Sequence, residues 1–117
     1  MHSCGAIFDV IPDLIDAGVQ ILNPIQLSAS NMDPVKLKKE FGDDLVFWGG
    51  GVDTQTTMSF KSIKEIEDEV KRNIDIFAIG GGYVFTQVHN IQADVPAENI
   101  MAVYNTAKKH RSYSLSK

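Results

Sequence analysis

The sequence predicts an α/β fold built on a parallel sheet, and three observations carry that expectation. Short apolar runs of strand length alternate with longer segments whose apolar residues recur at helical spacing. The run from Leu45 to Trp48 is continuously apolar, as suits a buried parallel strand better than a surface hairpin. The intervening helical segments are long enough to serve as crossovers, which parallel strands require.

The elements follow in order. Met1 to Gly5 reads as the last residues of a strand with its turn. Ile7, Val10, Ile11, Leu14 and Ile15 fall at i, i+3, i+4, i+7 and i+8, a helical stripe, and Gly18 stands where a glycine stops a helix. Pro12 is incompatible with an unbroken helix and marks a kink or the first turn of the main segment. Val19 to Asn23 is a strand, followed by a polar loop through Ser28, Ser30 and Asn31. Asp33 is an N-cap with Pro34 at the first helical position, and Gly42 closes the helix from Val35 to Phe41.

The strand Leu45 to Trp48 runs into Gly49-Gly50-Gly51-Val52-Asp53. Ser62 and Glu65 have capping-box spacing, and Ile63, Ile66, Val70 and Ile74 form the apolar face of the helix they open. Asp75 to Ile79 fits either a fraying helix end or an extended approach to Gly80. Tyr83 to Gln87 is the third full strand. Pro96 opens the final helix at its first position, with Ile100, Met101, Val103, Tyr104 and Ala107 inward and Lys108 and Lys109 in its last turn. The order is a strand stub and helix, then three strand–helix units. A chain that opens at the end of a strand suits the C-terminal portion of a (β/α)₈ TIM barrel, a fold of about 250 residues. The expected boundaries are a partial barrel domain over residues 1–111 and a loose tail over 112–117.

Bulk properties exclude several function classes. A net charge of −4, with no basic stripe before the last helical turn, argues against nucleic acid as a partner. No apolar run approaches the ~20 residues of a membrane span, and no signal-peptide pattern opens the chain. The single cysteine, Cys4, cannot form an internal disulfide, which points to a reducing cytoplasm.

Four blocks carry a resemblance: His2-Ser3-Cys4-Gly5, Ala17 to Pro24, Gly49 to Thr54, and Gly80 to Asn99. In this order and spacing they resemble the uroporphyrinogen decarboxylase superfamily, over almost the whole chain. That superfamily joins the decarboxylases of haem biosynthesis to the cobamide-dependent methyltransferases, and its members are (β/α)₈ barrels about three times this length. In the methyltransferase branch a His-x-Cys and a later cysteine hold zinc. Here His2 and Cys4 match the pair, while His89 stands where the second cysteine would be. The resemblance thus implies zinc-assisted methyl transfer from a corrinoid to a thiol, with a small-molecule thiol and a corrinoid protein as partners. The decarboxylase branch carries a histidine near position 89 and no His-x-Cys. It implies a tetrapyrrole substrate, porphyrin biosynthesis and no cofactor.

The residues support the chemistry independently, each beside a blander reading. His2 and Cys4 are two apart, so on a strand they share a side. Imidazole and thiolate both suit Zn²⁺, and three protein ligands with an open fourth position is the catalytic pattern. Alternatively, Cys4 is a small buried apolar residue. His89 is a third ligand, a general acid or a donor to a substrate carboxylate, or else a histidine bonded to a loop carbonyl. Gly50 and Gly51 allow close approach of a bulky substrate, or simply a tight turn. Asp53 binds substrate or caps its loop. Glu98 and Asn99 sit in a first helical turn, where a structural role is expected, and Tyr83 and Phe85 pack as core aromatics. A third reading is a non-catalytic barrel fragment. Three parallel strands leave open edges, so self-association or an upstream complementary chain is expected.

Overall fold

The computed structural model of the chain describes residues 5–54, 57–88 and 91–110. A 3₁₀ turn, Phe8–Val10, leads into α1 (Ile11–Asp16), with Pro12 in its first turn, where a missing N–H costs nothing. The chain continues through β1 (Ile21–Leu22), α2 (Pro34–Phe41), β2 (Val46–Trp48), α3 (Thr57–Phe60), α4 (Ile63–Phe77), β3 (Tyr83–Val84) and α5 (Ala97–Lys109). The three strands form one parallel sheet in the order β1-β2-β3. The expected α/β alternation is therefore present, with one addition. The short α3 has no apolar periodicity of its own to announce it.

Caps fix the helix starts as the sequence suggests. Asp33 Oδ1 accepts from Val35 N–H at 2.9 Å ahead of Pro34. The Ser62 and Glu65 side chains complete a reciprocal capping box at the start of α4. At α5 the expectation is one residue off: Pro96 is the N-cap itself and the helix begins at Ala97. The segment from Asp75 resolves as helix through Phe77, with Ala78 as its C-cap.

Register decides which residues meet. Leu22 pairs with Phe47, and Phe47 with Tyr83, so these three share one face of the sheet. Leu22 and Phe47 are wholly buried against the helices. The ring of Phe47 meets Phe77 at 5.2 Å, and Phe77 stacks on Tyr83 at the same separation. One apolar cluster lies under β1, α1 and α2; a second joins Val52, Met58, Ile66, Val70 and Val103 between α4 and α5. Lys38 of α2 crosses beneath the sheet to donate to Gly81 O at 2.8 Å, and burial lowers the pKa of its amine.

The opposite face differs from expectation. Ile21, Trp48 and Val84 are 42 %, 43 % and 37 % exposed, so β2 is parallel on both sides yet covered on only one. Met101 and Tyr104 of α5, expected inward, are also exposed, while Val103 is fully buried. The turn of α5 that faces α4 is narrower than its apolar composition suggests. Residues 112–117, read as a tail, lie outside the described residues, as do His2 and Cys4.

The capping box yields a test. Glu65 is held below the usual carboxylate range, chiefly by its hydrogen bonds with Ser62. A depressed folded-state pKa gives stability that is present above the unfolded value and lost as pH falls through the folded one. Ser62→Ala removes the hydroxyl cap and the side-chain share of the shift, while the Ser62 N–H still donates to Glu65 Oε1. It is expected to cost about 1 kcal/mol in a denaturant titration and to raise the Glu65 midpoint, read by NMR, part of the way towards the ordinary glutamate range.

Candidate functional site

Parallel strands all finish at the same edge, so the turns that leave them gather there. At this edge Asn23, following β1, donates through Nδ2 to Trp48 O at 2.9 Å. Gly5 N–H donates to Gln26 Oε1 at 2.8 Å, tying the segment before α1 to the turn after β1. The β2–β3 ladder also runs beyond the short strands. Gly49 N–H reaches Val84 O at 3.0 Å, Gly51 N–H reaches Thr86 O at 2.9 Å, and Val88 N–H reaches Val52 O at 3.0 Å.

The glycines at this edge answer to space as well as to torsion. Gly50 has φ of 72°, and a Cβ there would stand 2.9 Å from Ile25 Cβ. At Gly51 a Cβ would stand 2.3 Å from Cε2 of Phe85. The tight approach expected of Gly50 and Gly51 is thus made by the protein's own neighbouring turns. Gly80, Gly81 and Gly82 all have positive φ, which fits the turn role read for that triplet ahead of β3.

Asp53 begins the connection after β2. Its N–H donates to Glu69 Oε2 at 2.7 Å, and its carbonyl accepts from Met58 N–H at 3.0 Å. The other oxygen of Glu69 accepts from Thr57 Oγ1 at 2.8 Å. One turn further along α4, Asn73 Nδ2 donates to Gly51 O at 3.0 Å. A cavity of about 270 Å³ opens beside these groups, lined by Ser28, Asp53, Thr57, Glu69, Arg72 and Asn73 among others. Across the sheet, Tyr104 of α5 hydrogen-bonds Gln87, and burial raises its phenol pKa.

Of the residues singled out from sequence, Gly50, Gly51 and Asp53 stand together at this edge. His2, Cys4 and His89 lie outside the described residues. Among the described residues, no group of three or more His, Cys, Asp or Glu side chains could hold a metal ion. Asn99 has the structural role expected of it, donating to Met58 O at 2.8 Å and tying α5 to α3. Tyr83 and Phe85 pack as aromatics, Phe85 edge-on to both Tyr83 and Tyr104. Glu69 and Asn73 escape the sequence reading. Asn73 was detectable in principle: it lies seven residues after Ile66 and three after Val70, on the buried stripe.

The fold and this edge define an α/β protein that gathers its glycine-rich and polar turns at the C-terminal ends of parallel strands, the usual place for ligand chemistry in such proteins. A family model described as uroporphyrinogen decarboxylase (URO-D) matches residues 1–110. The chain belongs to the uroporphyrinogen decarboxylase family. Among curated proteins, none matches it. No helix among the described residues is long and apolar enough to cross a membrane.

The Gly51–Phe85 contact predicts a specific coupling. Gly51→Ala drives a methyl group into a ring and is expected to cost about 1–3 kcal/mol. Phe85→Leu, which withdraws the ring, recovers part of that loss in a double-mutant cycle read by urea unfolding.

Proposed function

We propose that the chain forms the closing part of a (β/α)₈ barrel whose rim performs zinc-assisted methyl transfer from a corrinoid to a thiol. The observation that carries this reading is a convergence at one edge of the sheet. The Gly5 tether brings the residue after Cys4 to the turn following β1, and the Val88 bond brings the residue before His89 to the end of β2. His2, Cys4 and His89 are the candidate ligands, and imidazole with thiolate is a donor set that suits zinc. Zinc bound there supplies Lewis acidity, which lowers the pKa of a coordinated thiol towards neutrality. The substrate thiol would give its proton to solvent, and its sulfur would take the methyl group as the donor's cobalt–carbon bond breaks and leaves its electron pair on cobalt. Asp53, fixed through its own N–H, orients the substrate. In this reading Cys4 and His89 act only as ligands, so the acceptor thiol belongs to the substrate.

The family description favours a second reading, decarboxylation of a tetrapyrrole, in which His89 donates to a substrate carboxylate and no metal takes part. Metal analysis separates the two. The methyl-transfer reading expects one zinc per chain, lost in Cys4→Ser and weakened in His89→Ala. A folded wild-type chain free of zinc after exposure to it sinks that reading and leaves decarboxylation.

The uncovered face formed by Ile21, Trp48 and Val84 supports the barrel assignment, because further β/α units would bury it. The 117-residue chain is therefore expected to associate, with itself or with a complementary chain. Sedimentation velocity across a hundredfold concentration range checks this, and a clean monomer throughout counts against the incomplete-barrel reading.

A further inference from the structure

The β2–β3 ladder contains a slip that no sequence pattern announces. In a parallel pair, the N–H and carbonyl of one residue bond on either side of a single partner residue. Phe47, Gly49 and Gly51 donate in turn to Gly82, Val84 and Thr86, two residues per step on both strands. Continuing that register, the Gly51 carbonyl would accept from Val88 N–H. Instead Val88 N–H bonds to Val52 O at 3.0 Å. The β2 side has one extra residue, which makes Gly51–Val52 a bulge.

Side-chain placement says the same. Successive strand residues point to opposite faces. Yet a Cβ on Gly51 would meet Phe85, and Val52 is fully buried with Met58, Ile66 and Val70, the cluster against which Phe85 also packs. Two consecutive residues thus turn to one face.

A bulge strands backbone groups that the ladder would have paired, and here two side chains of α4 receive them. Asn73, 1 % exposed, donates to the released Gly51 carbonyl, and Glu69 accepts from Asp53 N–H. The two are four apart and so occupy one face of the helix. Glu69 also holds the Thr57 hydroxyl, which closes the connection that follows.

We propose that Glu69 and Asn73 are positioning residues: together they hold the bulge at Gly51–Val52. The bulge sets how Asp53 leaves the sheet and which β2 residue Val88, the residue before His89, faces. The role given to Asp53 and His89 rests on the reading of this rim as the site; the clamp itself is a matter of backbone register.

Register can be observed directly. A long-range HNCO experiment on the isotope-labelled chain detects scalar coupling through individual hydrogen bonds. Val88 N–H is expected to correlate with the Val52 carbonyl carbon. Asn73→Ala, which leaves the Gly51 carbonyl without its donor, is expected to move that correlation to Gly51. Glu69→Ala is expected to speed hydrogen exchange at Asp53 by about tenfold, the loss of one bond to a charged acceptor. Glu69→Gln should restore protection, since its amide oxygen can accept from Asp53 while its NH₂ donates to Thr57. A Val88–Gly51 correlation in the wild type overturns the proposal. So does wild-type register and Asp53 exchange in folded Asn73→Ala and Glu69→Ala. Should Asn73→Ala fail to fold, the wild-type correlation and the Glu69 pair decide. The measurement needs no ligand, so its outcome is independent of what the rim binds.

Discussion

Parallel pairing of β2 with both of its neighbours is the constraint from which the rest of the molecule follows. Parallel strands cannot be joined by tight turns, so the chain must return to the same edge after every strand, and the return is helical. That requirement places α2 and α4 on one face, where Leu22 and Phe47 lose all contact with water. It also brings every strand exit to one edge. Burying two aromatic side chains such as Phe47 and Phe77 is worth roughly 2–3 kcal/mol each, so the layer behind the sheet holds the edge in place while the turns there remain free to carry polar groups.

Much of this was legible in the residues. Helix starts were written in local chemistry: Asp33 before Pro34, and Ser62 three residues before Glu65, specify caps that need no tertiary partner. Central strand positions were written in apolar runs. What could not be read was whatever depends on a neighbour distant in sequence. The exposure of Trp48 and Val84 depends on what else packs against the sheet, not on their own hydrophobicity. Tyr104 sits on an apolar stripe by spacing, yet its hydroxyl finds Gln87 and the ring stays half in water.

The site follows the same division. Gly50 and Gly51 advertise a special backbone, but the reason for each is a side chain elsewhere, Ile25 in one case and Phe85 in the other. Glu69 looks like any solvated helix glutamate until the Asp53 N–H is placed against it. The ligand candidates His2, Cys4 and His89 show the opposite pattern: their chemistry is visible in the sequence, while they lie outside the residues the structure describes. The match over residues 1–110 shows the family; in the proposed function, the choice between methyl and carboxyl chemistry turns on those three side chains.

The way α4 grips the end of β2 has a bearing on how such a protein can change over generations. Its side chains bond the backbone at Gly51 and Asp53 and the hydroxyl of Thr57, in the connection that runs to Ser62. Thr57 and Met58 are buried there, so replacement is tolerated best at the exposed Phe60 and Lys61, where the backbone upstream keeps its course. Surface loops tolerate such revision better than any other part of a fold. The helix that supports this edge thereby separates two kinds of inheritance: a fixed frame of backbone at Gly51, Asp53 and Thr57, and a replaceable margin at its exposed end.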